Sequence, residues 1–236
     1  MRTIGTAITV EGVRKRYETP AGLIRAVDGV TLTVGAGTSL AIMGPSGCGK
    51  STLLGLISGL EPPTRGRVSI GGREISAMRE RDRARLRRDL LGLVFQADNL
   101  LPFLTVVENV ALQLALHGAR DGYDRCLAAL RALEIEDQAH KLPDQLSGGQ
   151  RQRVAVARAL VHRPRVILAD EPTGSLDAHS SKAVIDLLLA AKEETNATLV
   201  VVTHDPGVAR RMDQRVRLRD GRLVEGETPP PERVRV

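Results

Sequence analysis

The sequence predicts an α/β fold: a β-rich N-terminal region leading into an α/β core, with a helical segment inserted into that core. Three observations predict it. Apolar and polar residues alternate with a period of two near the N-terminus, as in Ala7-Ile8-Thr9-Val10 and Val30-Thr31-Leu32-Thr33-Val34. Buried-type strands at 39–43, 90–95, 165–169 and 198–203 are separated by helix-like stretches. Between Asn99 and Arg163 strand signals vanish and helical spacing takes over.

The elements follow in order. The early strands are expected to be broken by Gly12, Gly22, Gly29 and the Gly35-Ala36-Gly37 turn. Ser39–Met43 is a short apolar strand running into a glycine-rich loop, and Ser51–Leu60 is a helix. Arg79, Arg81, Arg83, Arg85, Arg87 and Arg88 alternate with Glu80, Asp82 and Asp89, the pattern of a solvated helix laced with ion pairs. Val106–Leu116, Arg125–Leu133 and Gln150–His162 are helices of the insert, and Pro164 ends the last of them. Ser180–Lys192 is a helix between the two final core strands. This gives one domain over 1–236, with an α/β core at 1–96 and 164–225, a helical part at 97–163, and a frayed tail at 226–236 that holds three consecutive prolines.

With 42% apolar and 26% charged residues, the 236-residue chain is neither disordered nor collagenous. Two cysteines, Cys48 and Cys126, cannot build a disulfide scaffold and suit a reducing compartment. No secretory signal is read at the N-terminus. The longest uncharged run, Gly29–Gly49, contains six glycines and Pro45, so it reads as strands and turns rather than a membrane span. The formal charge of +6 comes from arginine-rich helices with matching acids, and only four aromatics are available for base stacking, so no nucleic-acid partner is expected.

Gly44-Pro45-Ser46-Gly47-Cys48-Gly49-Lys50-Ser51 fits G-x-x-x-x-G-K-[ST], preceded by a strand and followed by a helix. Glycines let backbone N–H groups turn inward around phosphate oxygens, and the helix start adds its positive dipole end. Lys50 then reaches the β- and γ-phosphates, and the Ser51 hydroxyl ligates Mg²⁺. The helix start should also favour the thiolate of Cys48, making it a labelling handle in the loop. The strand Arg165–Ala169 ends on Asp170, in the form of a carboxylate that holds Mg²⁺, and Glu171 follows as a base for the attacking water. By itself such an acid pair is an ordinary helix cap; beside a phosphate loop it reads as catalytic. His204, after the strand Leu199–Val202, joins them at the carboxyl edge of the sheet and is placed to contact the γ-phosphate. At Leu146-Ser147-Gly148-Gly149-Gln150 a second glycine turn opens a helix. It is either a plain helix cap or the completion of a phosphate site on another copy of the chain.

In this order, over roughly 7–225, these elements resemble the ATPase subunits of ATP-binding cassette (ABC) transporters. The most diagnostic segment is Leu146–Gln150. Gly44–Thr52, Gln96, Ser175-Leu176-Asp177 and His204 stand where that family has its motifs. The resemblance implies an ABC ATPase fold, a P-loop NTPase core with an antiparallel β subdomain and an inserted helical subdomain. It implies Mg-ATP as cofactor, Gln96 beside Ser51 and Asp170 at the metal, Asp177 in the loop that faces the second copy, and Tyr17 stacked on adenine. In the family two such domains stack head to tail, so Ser147, Gly148, Gly149 and Gln150 act in trans in a homodimer. The expected second partner is a membrane permease, with the chain peripheral on the cytoplasmic face of the membrane. Asp170–Asp177 and Phe95–Val110 look like the lipoprotein-release, macrolide-export and cell-division branch, although Ser175 replaces the asparagine usual there. Three functions compete: ATP hydrolysis that drives a permease, an ATP-gated dimerising module that signals to a membrane protein without transport, and a nucleic-acid ATPase. The first is favoured. The third usually carries joined cassettes, zinc or coiled-coil insertions that are not seen here.

Overall fold

The N-terminal alternation becomes a long antiparallel ribbon. In the computed structural model, which describes residues 6–20, 22–119 and 122–224, β1 (Ile8–Thr19) pairs with β2 (Gly22–Val34). Gly12 and Gly29 do not break these strands as expected. They lie inside them with φ of 55° and 79°, and the register shifts between Val10 and Val13. Glycine's freedom at positive φ turns a break into a bulge that bends the ladder without ending it. β1 also pairs with β4 (Arg65–Ile70), which turns back into β5 (Arg73–Glu74), giving the order β2-β1-β4-β5. The sequence reading missed this hairpin because only Val68 and Ile70 of β4 are buried and the rest is arginine, glycine and serine.

A second, six-stranded sheet holds β3 (Ser39–Met43), β6 (Leu91–Val94), β7 (Val166–Asp170), β8 (Thr198–Val202), β9 (Gln214–Arg219) and β10 (Arg222–Val224), in the order β10-β9-β3-β8-β7-β6. All neighbours are parallel except the β9–β10 hairpin. β7 and β8 are buried along their whole length, as strands covered on both faces must be. β9 and β10 escaped the sequence reading. In β9 only Val216 and Leu218 are buried between exposed arginines, so the alternation carries little apolar signal.

The helices are α1 (Lys50–Ile57), α2 (Glu80–Leu90), α3 (Val106–Leu116), α4 (Tyr123–Arg131), α5 (Gly148–Leu160), α6 (Ala178–Thr195) and α7 (Pro206–Arg210). The period of two splits the core. Ala41, Ile167, Ala169, Leu199 and Val201 share one cluster with α3 to α6. Leu40, Ile42, Val166, Leu168, Val200 and Val202 face the other way, onto α1 and the inner residues of the four-stranded sheet. α3, α4 and α5 pack on one another, and α5 also lies against β6 and α6. On α2, Glu80 pairs with Arg83 at 2.7 Å and Arg87 at 2.6 Å, the expected laced helix.

Between β6 and α3 the segment 95–105 is irregular yet held. Asn109, fully buried, donates Nδ2 to the carbonyls of Leu101, Leu104 and Thr105 and accepts the Leu101 amide at 2.8 Å. Thr105 and Glu108 form a reciprocal cap that starts α3. Leu100 joins the core cluster, whereas Phe103 is 73% exposed. Among the described residues no helix is long and apolar enough to cross a membrane. The reading of 226–236 as a frayed tail lies outside the described residues.

Candidate active site

Parallel register sets the site. Ile42 pairs with Val202, Val202 with Asp170, and Ala169 with Val94, so β3, β8, β7 and β6 end side by side. Each is followed by one chemical group: the phosphate loop after β3, Asp170 and Glu171 at β7, His204 after β8 and Gln96 after β6. The carboxyl edge of such a sheet is where ligands bind.

In the loop Gly44, Gly47 and Gly49 take φ of 153°, 76° and 102°. A Cβ on Gly49 would overlap the Ala26 carbonyl oxygen, and one on Gly44 would overlap the Leu218 carbonyl. These two positions accept only glycine because β2 and β9 press on the loop from outside. Lys50, 8% exposed, folds its ammonium back to donate to the carbonyls of Gly44 at 2.9 Å and Pro45 at 2.8 Å. Cys48 departs from expectation. Its side chain joins the core cluster beneath Gly44, because the turn points it inward, and at 5% exposure it is a poor labelling handle although the residue borders the cleft.

Asp170 lies under the loop, 8% exposed, and hydrogen-bonds the Ser51 side chain. Burial pushes its carboxyl above the ordinary range. Glu171 pushes the same way, while the Ser51 hydrogen bond and Lys50 pull it back. Its Oδ1 is buried with no hydrogen-bond partner among the described residues. Glu171 takes the left-handed conformation, φ 46°, its amide donating to the Val202 carbonyl at 2.9 Å. That kink is costly for a residue with a Cβ and turns the carboxylate toward the cleft. Glu171 Oε2 meets His204 Nδ1 at 3.0 Å; the glutamate is largely covered and the imidazole is 72% exposed.

Glu171 and His204 share one cleft of about 860 Å³ with Ser46–Thr52, Gln96 and Ser175, while Gly44, Pro45 and Asp170 lie behind its wall. The sequence reading missed part of the wall: Ile24, Arg25 and Ala26 of β2, and Asp220 and Gly221 of the β9–β10 turn. The Gly221 amide donates to the Cys48 carbonyl at 3.0 Å, and the Asp28 amide to the Gly221 carbonyl at 2.8 Å, so this turn splints the loop to β2. Its signal was the Asp220-Gly221 turn dipeptide after an alternating run. Tyr17 is half-buried beside the wall. Its hydroxyl donates to Glu61 at 2.7 Å, its ring carries Lys15 Nζ at 5.2 Å, and its cross-strand partner Ile24 lines the cleft. Burial, then Glu61, push the phenol pKa up.

The turn at Ser147–Gln150 stands apart from this cleft. Ser147 Oγ accepts the Gln150 amide at 3.2 Å, and Gln150 Oε1 accepts the Ser147 amide at 2.8 Å, a complete capping box. Ser147 and Gly148 face solvent. Gly149 abuts Leu176, one residue past the cleft's Ser175. Asp177 caps α6 through the Ser180 amide and hydroxyl, both at 2.9 Å, which holds its carboxyl below the ordinary range.

The orphaned Asp170 Oδ1, the Ser51 hydroxyl and Gln96 provide hard oxygen donors at the end of a glycine cradle, which fits Mg²⁺. Among the described residues no group of three or more His, Cys, Asp or Glu side chains is arranged to hold a metal.

The family profile for ABC transporters matches residues 27–174. The lipoprotein-releasing system ATP-binding protein LolD of Legionella pneumophila (strain Lens) is 41% identical over 222 residues, 93% of this chain and 98% of its own. LolD of Anaeromyxobacter dehalogenans (strain 2CP-C) is 44% identical over 220 residues, 92% of each chain. Among solved structures, the dimeric ATP-binding cassette MJ0796 in a post-hydrolysis state bound to ADP and Pi superposes with a TM-score of 0.88. It is 40% identical to this chain, covering 94% of this chain and 98% of its own.

Proposed function

The chain belongs to the ABC transporter ATP-binding family and is a nucleotide-binding ATPase of that fold, and on this premise we propose that two copies close around two Mg-ATP to power a separate membrane permease. The observation that carries this reading is a division within one chain. Phosphate loop, Asp170, Glu171, Gln96 and His204 meet at one sheet edge, while the Ser147–Gln150 turn, a second glycine-bearing helix start, lies outside that cleft with Ser147 and Gly148 exposed. A second copy brings the turn and the cleft together, and the dimeric form of the similar MJ0796 supports this.

Within that assembly each side chain has a task its geometry favours. Lys50 exchanges the carbonyls of Gly44 and Pro45 for the β- and γ-phosphate oxygens. The loop amides and α1 hold the rest of the polyphosphate. Ser51, Asp170 and Gln96 would hold Mg²⁺, which would supply charge neutralisation for the polyphosphate. Glu171 accepts the proton of the water whose oxygen attacks the γ-phosphorus, while the bond to the bridging oxygen breaks and its electron pair leaves with ADP. His204, hydrogen-bonded to Glu171, fixes the carboxylate and reaches the γ-phosphate from its exposed side. The names of the LolD relatives support a lipoprotein-release or exporter system, with the chain peripheral to the membrane through the permease. Phe103, the exposed member of the apolar loop beyond Gln96, is the contact for a short apolar helix of that permease.

Glu171→Gln tests the assembly, because the amide cannot take the proton and bound ATP persists. The variant should bind Mg-ATP, turn over at least ~100-fold more slowly, and elute as a dimer with ATP and a monomer without it. A protein that stays monomeric at high concentration in Mg-ATP contradicts the paired arrangement.

A further inference from the structure

Tyr17 is tied down from outside the cleft. Its hydroxyl donates to Glu61 Oε2 at 2.7 Å, and the same carboxylate oxygen pairs with Lys15 Nζ at 3.0 Å. Lys15 also donates to the Pro62 carbonyl at 3.0 Å, and its ammonium lies 5.2 Å from the centre of the Tyr17 ring. One face of the ring is therefore taken by a cation, which the negative face of the ring attracts. Glu61 is itself fixed, its amide donating to the Gly55 carbonyl of α1 at 3.3 Å. Just beyond it, Thr64 binds β1 twice, its amide on the Arg14 carbonyl at 2.8 Å and its hydroxyl on the Arg16 amide at 3.1 Å.

The placement matters because the ring borders the cleft. Its cross-strand partner Ile24 lines that cleft, and so does Thr52, whose side chain reaches the phenol. Thr52 and Glu61 belong to α1 and to the turn that closes it, so the ring keeps its place relative to the phosphate loop. A free aromatic side chain must freeze its torsions when a base stacks on it, and that ordering weakens binding. Here the hydrogen bond to Glu61 fixes the ring before any nucleotide arrives, and Lys15 leaves only the opposite face for a base.

We infer that Glu61 is a positioning residue for the nucleotide base: through the Tyr17 hydroxyl it holds the ring as a preformed stacking platform, with Lys15 closing the other face. Resting on the Mg-ATP reading of the cleft proposed above, this assigns part of the affinity for ATP to a carboxylate that acts only through the tyrosine. Stacking acts on the base alone, so the grip of the phosphate loop on a polyphosphate is independent of it. A single chain suffices for the effect, without its second copy.

Two probes separate platform from phosphate cradle. Equilibrium binding of Mg-ATP and of Mg-tripolyphosphate is measured on the full chain, dilute enough to stay monomeric. The proteins are wild type, Tyr17→Phe, Glu61→Leu, their double variant and Tyr17→Ala. Tyr17→Phe keeps the ring and removes the donor, and Glu61→Leu keeps the bulk and removes the acceptor. Each should weaken Mg-ATP about fivefold, the effect of having to order one freed aromatic side chain. The double should match either single, as two groups acting through one hydrogen bond require. Affinity for Mg-tripolyphosphate should stay within about twofold of wild type in all of them, because no ring is ordered by a polyphosphate. Wild-type Mg-ATP affinity in Tyr17→Phe, or single effects that multiply in the double, would overturn the positioning role. So would tripolyphosphate weakened in step with ATP, which would show that Glu61 only supports α1. If Glu61→Leu does not fold, Tyr17→Phe decides, since it removes a single oxygen atom. Tyr17→Ala should weaken Mg-ATP about tenfold or more, the loss of one stacked base. Wild-type ATP binding there overturns Tyr17 as the platform, and a wild-type chain that binds neither probe overturns the Mg-ATP reading itself.

Discussion

His162, two residues past the C-terminal end of α5, makes the stability of this chain depend on acid in a way that can be worked out in advance. Its Nε2–H donates to the Leu91 carbonyl at 3.1 Å, its Nδ1 is buried without a partner among the described residues, and its ring stacks on His117 at 4.9 Å. His117 has its own Nδ1 on the Gln113 carbonyl at 2.7 Å and sits within the field of Asp89. Burial first, then repulsion from His117 and Arg125, against the Leu91 hydrogen bond, lower the His162 pKa from 6.5 to about 4. A proton on His162 is thus favoured by the unfolded chain. The contribution to stability is complete above pH 6.5 and falls as pH drops toward 4. Linkage costs about 2 kcal/mol by pH 5 and about 3 kcal/mol by pH 4. His162→Gln can still donate to Leu91 but does not titrate. The assay is urea unfolding of both proteins between pH 7.5 and about 4. The difference in unfolding free energy between wild type and variant should shift by that amount toward the variant as pH falls. Parallel curves would show that His162 titrates normally and that the stacked pair is hydrated.

Lys50→Ala removes the side-chain cation from a transition state with spread negative charge, so turnover should fall at least ~100-fold; more than a tenth of the wild-type rate contradicts the assignment. Gly49→Ala forces a Cβ into the Ala26 carbonyl at φ 102°, and should cost about 3 kcal/mol in denaturant unfolding along with nucleotide binding. A stable, ATP-binding variant would mean that β2 does not press on the loop. Phe103→Asp lies on an exposed ring, so the isolated chain should keep its melting temperature and its basal ATPase rate to within about twofold, while permease-stimulated hydrolysis falls at least ~10-fold. Undiminished stimulation places the docking surface elsewhere. Leu101 is the poorer test, because it is part-covered and its backbone is bound on both sides by Asn109.

Much of the chemistry was legible because it is local. A strand, a glycine-rich loop and a helix in succession dictate a phosphate cradle, since the conformations that turn amides inward depend on residues adjacent in sequence. Asp170 with Glu171, and Ser147–Gln150 before an apolar helix, are local in the same sense. The solvated arginine helix followed from neighbouring charges alone. Other features were decided only when distant segments met. Cys48 looked like an exposed thiol at a helix start, and the packing of β2, β9 and the β9–β10 turn against the loop placed it in the core. Gly12 and Gly29 looked like strand ends, and pairing with a neighbouring strand made them bulges, because a ladder tolerates one extra residue more readily than it gives up its hydrogen bonds. β4, β5, β9 and β10 carry too few apolar residues to announce themselves; long-range pairing with β1 and β3 makes β4 and β9 strands, and β5 and β10 follow as their hairpin partners. The wall supplied by Ile24 and Arg25, and the grip of Arg151 on Asp98 across fifty-three residues, have no sequence pattern, and Asp220-Gly221 announces a turn but not that the turn meets the loop. By itself the sequence determined which groups exist and which backbone turns they occupy. The tertiary structure decided which of them touch, because parallel register and packing across the sheet set distances that spacing along the chain does not encode.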